Sequence, residues 1–131
     1  MSFIQDLVKI WNNYGGQMLA GVGNTLLIAM LGTVIGLIIG LINGIIRTIP
    51  KSRNIFISAI QKIIGVLISA YVEVFRGTPM MVQAMIIYWG YAYATGGDTL
   101  ALIPAGIVIV SINTGAYITE IVRGGIISID K

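Results

Sequence analysis

Asn113, Tyr117 and Glu120 stand at i, i+4 and i+7 in the apolar stretch from Leu100 to Val122, so in a helix they share one face. Gln83 is a further polar side chain one turn inside another apolar run. Neither histidine nor cysteine accompanies them. That removes imidazole bases, thiol nucleophiles, disulfides and the usual zinc ligands together. A carboxylate or two without such groups gives an enzyme little to work with. The sequence also has no Gly-x-x-x-x-Gly-Lys run followed by Ser or Thr, the loop that cradles nucleotide phosphates. What remains is hydrogen bonding and charge pairing. Such groups either line a route for a polar solute or pair with one another inside a scaffold.

The stretch EVFRGTPMMVQ, residues 73 to 83, puts an acid, a base and a helix break between two apolar segments. Gly77 is suited to the left-handed residue that closes a helix after Arg76, whose cation complements the negative C-terminal end. Thr78 is a good N-cap and Pro79 is favoured at the first helical position, so Arg76, Gly77, Thr78 and Pro79 read as a stop followed by a start. Unpaired backbone at such a joint is tolerated in lipid only where it is buried in protein or faces a watery cavity. Transporters use the N-terminal ends of broken helices to receive anionic groups. The plainer reading makes Glu73 and Arg76 an interfacial ion pair, with the joint merely turning the chain.

The elements that must position these residues are membrane helices. Of 131 residues, 56% are hydrophobic and only 10% charged, where a soluble domain carries roughly a quarter charged. Charge-free runs cover Ile10 to Ile46, Gly77 to Gly97 and Thr99 to Thr119. About 21 residues at 1.5 Å each span the hydrocarbon of a bilayer. The expected fold is an all-α integral membrane bundle with about three transmembrane helices: Met18 to Ile46, the run after the break, and Leu100 to Val122. Asn54 to Val72 contains Gln61 and Lys62 and is read as an interfacial or re-entrant helix, because a lysine at mid-bilayer is costly. The basic loop RTIPKSR, residues 47 to 53, favours the cytoplasmic side and places the N-terminus outside. The chain then goes in at Arg47, out near Gly96-Gly97-Asp98 and in again by Arg123, with Lys131 on the same side.

Two further patterns concern packing. Phe3, Leu7, Ile10, Trp11 and Tyr14 recur at helical spacing and describe an amphipathic segment over residues 1 to 17, ended by Gly15 and Gly16. Gly32, Gly36, Gly40 and Gly44 fall every fourth residue, lining one helix face that lets a neighbouring backbone approach closely. Tyr88, Trp89, Tyr91 and Tyr93 fit an interfacial aromatic belt.

The segments GVGNTLLIAMLGTVIGLIIGLINGIIR, YVEVFRGTPMMVQAMIIYWG and INTGAYITEIVRGGIISI together resemble the membrane-spanning permease subunits of bacterial ABC importers for polar amino acids. This is the group serving histidine, glutamine, glutamate, arginine and opines. The resemblance covers roughly residues 18 to 131, and the middle signature with AYITEIVRGGI is its specific part. In that family a cytoplasmic loop that docks on the nucleotide-binding subunit follows, then further spans. Lys131 falls where that loop begins, so the expectation is the N-terminal part of a permease.

The resemblance implies a multi-pass protein of the bacterial inner membrane, working as a permease homo- or heterodimer. It implies two cytoplasmic ATPase subunits that bind ATP and magnesium, an extracytoplasmic amino-acid-binding protein, and no nucleic acid. No cofactor is expected in this chain itself. Gln83, Asn113, Tyr117 and Glu120 are then the candidates for the substrate pathway, with Glu120 meeting an ammonium and the amides supplying neutral hydrogen bonds. An ion pair of Glu120 with Arg123 is the competing assignment. A small oligomeric channel and a membrane scaffold are the rival functions.

Overall fold

The computed structural model describes residues 2–129, and among these every regular element is an α-helix. The elements are α1 (Phe3–Ile46), α2 (Ile55–Gly77), α3 (Met80–Ala94) and α4 (Leu102–Ile129). The expected all-α membrane bundle is what is observed. The expectation attached to Lys131 lies outside the described residues.

α1 and α4 form the central pair, and the glycine stripe is the contact. A Cβ at Gly32 would lie 2.6 Å from Val110, at Gly36 2.7 Å from Thr114, and at Gly44 2.7 Å from Val122; at Gly40 it would collide with Ile118. Both residue numbers rise together, so the helices run parallel. The only residues α1 buries are Gly15 and the four glycines of the stripe, while its apolar side chains point outward. That is how membrane helices associate when lipid is as apolar as leucine: small residues allow close backbones, and large ones face the hydrocarbon. A further small residue at this junction is Gly115, where a Cβ would meet the Tyr71 hydroxyl of α2 at 2.8 Å and Ile39 of α1 at 2.9 Å.

Three expectations need correction. First, α1 does not end at Gly15-Gly16 but continues through them. Two helix-interior glycines cost about 1 kcal/mol each, too little to stop a helix unless the chain turns left-handed there. Positive φ among the described glycines occurs only at Gly96 and Gly97. α1 is therefore about 66 Å long, and only Ile28 to Arg47 runs beside α4, roughly one hydrocarbon thickness.

Second, the helices long and apolar enough to cross a membrane are α1, α2 and α4. α2 has 23 residues, whereas α3, expected as the second crossing, has 15 and reaches only about 22 Å. The argument against α2 rested on Lys62 at mid-bilayer. Gln61 beside it accepts from the Ser52 N–H at 3.0 Å and donates to the Pro50 carbonyl at 3.3 Å, which places Lys62 level with the basic loop. The parity is unchanged. With α1 and α4 parallel, the chain from Arg47 to Leu102 makes one net traverse, shared between α2 and α3.

Third, the break falls one residue later than its capping residues suggest. Gly77 is the last residue of α2 with no positive φ, Thr78 and Pro79 are extended, and α3 starts at Met80. The left-handed closure is used instead after α3. There Gly96 has φ 76°, Gly97 N–H reaches the Ala92 carbonyl at 2.8 Å and Gly96 N–H reaches Tyr93. This is the paired bonding of a glycine-terminated helix. It turns the chain toward α4.

Candidate functional site

An interrupted helix leaves carbonyls without partners at its C-terminal end, and in a membrane each must be met by protein. The Thr78 hydroxyl, freed from N-capping, donates back to the Val74 carbonyl at 2.7 Å. Gln83, one turn into α3 and 7% exposed, turns its amide nitrogen to Phe75 O at 3.0 Å, Thr78 O at 2.9 Å and Thr78 Oγ1 at 2.7 Å. Asn113 of α4 donates to Phe75 O at 3.3 Å and to Gln83 Oε1 at 3.1 Å. Thr78, Gln83 and Asn113 thus form one knot that holds α2, α3 and α4 at the break. No buried side-chain nitrogen or oxygen among the described residues lacks a partner.

The same α4 face continues toward its C-terminal end. The Tyr117 ring lies under the Arg76 guanidinium, 5.5 Å from centroid to carbon, a cation–π distance. Glu120 is shared by two cations: Arg47, at the end of α1, bonds one carboxylate oxygen at 3.0 Å, and Arg123 bonds the other. Glu73 and Arg76, which sequence spacing offers as an ion pair, do not pair with each other. They line a cleft of about 220 Å³ together with Arg47, Ser69, Val72 and Glu120. Two guanidiniums and two carboxylates therefore surround one small space between α1, α2 and α4.

All four candidates for the pathway lie along the seam between α4 and the broken helix, but they divide into two groups. Gln83 and Asn113 are engaged in the knot; Tyr117 and Glu120 belong to the charged cleft. Arg47, Glu73 and Ser69 were not among the candidates. Glu73 stood in the quoted motif, and its spacing from Arg76 suggested the wrong partner. Arg47 is 73 residues from Glu120, and no local pattern links the two. Tyr71 was also unforeseen: its hydroxyl donates to the Ile112 carbonyl at 2.5 Å, tying α2 to α4.

No protein-family model matches the chain. A stretch of 61 residues, 47% of the chain, is 44% identical to the glutamine transport system permease protein GlnP of Escherichia coli, covering 28% of that protein. Over the same length it is 41% identical to the putative glutamine permease GlnP of Rickettsia conorii. It is 44% identical to the arginine transport system permease protein ArtQ of Bacillus subtilis, covering 27% of that protein. The fold is similar to that of a crystal structure of an amino acid ABC transporter with histidines. The TM-score is 0.65 at 28% identity, over 95% of this chain and 50% of the other. The chain thus spans about half of its structural neighbour, and the matched stretch under a third of the curated relatives. The similarity to amino acid ABC permeases read from the sequence is borne out, and the protein is a multi-pass membrane protein.

Proposed function

We propose that this chain forms part of the translocation path of an ABC importer for polar amino acids, and that the charged cleft beside Glu120 is a station on that path. One observation carries the reading. The cleft of about 220 Å³ holds Arg47, Arg76, Glu73 and Glu120, in a chain similar to permease subunits for glutamine and arginine. A zwitterionic solute carries a carboxylate and an ammonium, both costly to strip of water. A site with both signs of charge exchanges protein ion pairs for solute ion pairs without leaving either group bare. Arg76, held over Tyr117 instead of in a carboxylate pair, is the cation most available for the solute carboxylate. Glu120 and Glu73 suit the ammonium.

The energy is supplied by partner subunits that bind ATP and magnesium on the cytoplasmic side of a bacterial inner membrane. A binding protein delivers solute on the other side, and a second permease copy or relative completes the path. Alternating access requires differential contacts in two states. The Arg47–Glu120 pair is suited to this, because it bridges the end of α1 to α4 and solute entry competes for it. Gln83 and Asn113 act here as the fixed knot that keeps the break closed to lipid.

The test uses the complete transporter. Glu120→Ala and Asn113→Ala variants are compared with wild type for amino-acid uptake, alongside assembly, and a tagged copy is assayed for a co-purifying ATPase. The expected result is an ATPase partner, normal assembly of the Glu120 variant and a large loss of its uptake. Normal uptake in the Glu120 variant removes the charged cleft from the path. Solute flux without any ATPase overturns the importer in favour of a channel.

A further inference from the structure

A half-open groove of about 750 Å³, larger than the charged cleft, lies between the basic loop and α2. Its polar wall carries Lys51 and Lys62, and Ile49 and Ile64 supply an apolar wall. The two lysines are 11 positions apart and face the same groove because Gln61 clamps the loop to α2. Its amide accepts from Ser52 N–H and donates to Pro50 O. Neither lysine belongs to an ion pair among the described residues. The one acid on the groove, Glu73, stands at its far end, beside the cleft.

An ammonium facing lipid carries a cost unless something anionic meets it. Here two do so, next to apolar walls, on the face that the basic loop assigns to the cytoplasmic leaflet. Both signs of charge in the cleft suit a zwitterion; unpaired positive charge here suits an anion that also carries hydrocarbon. The geometry points to a binding site for an anionic phospholipid, with the phosphate of the headgroup between Lys51 and Lys62 and the acyl chains along Ile49 and Ile64. A pocket of this size accommodates a headgroup and the first part of its chains, and basic pockets at the cytoplasmic ends of membrane helices recognise such headgroups. Arg47, Ser69 and Glu73 line both the groove and the cleft, whereas Lys51 and Lys62 line the groove alone, so variants of the two lysines test this reading apart from the solute path.

The experiment titrates purified protein in neutral detergent with phosphatidylglycerol, with phosphatidylcholine and with inorganic phosphate, reading thermal stability and retained lipid by native mass spectrometry. Saturable stabilisation and retention by phosphatidylglycerol alone is expected. The Lys51→Gln/Lys62→Gln variant should bind it roughly tenfold or more weakly. Lys51→Arg/Lys62→Arg keeps the charge and should bind as wild type, as should Lys9→Gln, remote from the groove. The site is overturned if phosphatidylcholine stabilises equally, if inorganic phosphate reproduces the whole effect, or if the glutamine variant retains lipid as wild type does. It is equally overturned if the assembled transporter carries no lipid there because another polypeptide fills the groove.

Discussion

Glu120 holds two arginines from two helices, so its removal is not a local event. The Arg47 and Glu120 side chains are 20% and 26% exposed, enough shielding for the pair to matter and enough water to soften the loss. Glu120→Gln should destabilise the protein by about 1–3 kcal/mol, and a double-mutant cycle with Arg47→Gln should give a coupling of about 1 kcal/mol or more. Thermal unfolding in detergent measures both. Gln83→Leu preserves size but strips the Phe75 and Thr78 carbonyls and the Asn113 amide of a partner, which should cost about 1–2 kcal/mol. The same assay reads it, and an unchanged midpoint would show that the knot contributes nothing. At this scale the sequence was informative about one face and silent about its partners. Asn113, Tyr117 and Glu120 share a face because helical spacing says so. That Arg47 meets Glu120, or that Phe75 offers its backbone oxygen to Asn113, depends on how separate helices pack.

At the scale of elements, glycines with the same identity have opposite roles. Gly40 faces Ile118 with no room for a methyl group, whereas Gly65 has nothing within 4 Å. Gly40→Ala should force α1 away from α4 and lower stability by about 1–3 kcal/mol. Gly65→Ala should raise it by up to about 1 kcal/mol through helix propensity. Unfolding of the two variants side by side distinguishes packing from propensity, and equal effects would contradict the seam. The every-fourth-residue stripe was legible in the sequence, since period and residue type both survive in one dimension; its partner α4 was not. Gly15 and Gly16 misled because glycine permits a stop without imposing one. The Arg-Gly-Thr-Pro break was located correctly to within a residue. Its capping was misassigned because Pro79 takes the N-cap place of α3, while the Thr78 hydroxyl donates back to the Val74 carbonyl.

At the scale of the molecule, most large apolar side chains are exposed, on α1 nearly all of them. Such a surface is stable only against lipid or other membrane subunits. The crossing parity was derivable from charge alone, yet the share of α2 in that crossing was missed because Lys62 was placed by position in the sequence, without the Gln61 clamp beside it. The central claim is that one net traverse, broken at Thr78-Pro79, links two parallel helices. The chain has no cysteine, so Arg53→Cys and Asp98→Cys can each be labelled in intact cells and in inverted vesicles with a membrane-impermeant maleimide. The account predicts that the cysteine at position 53 reacts only from the cytoplasmic face and that at position 98 only from the outer face. Reaction of both from the same face would contradict it.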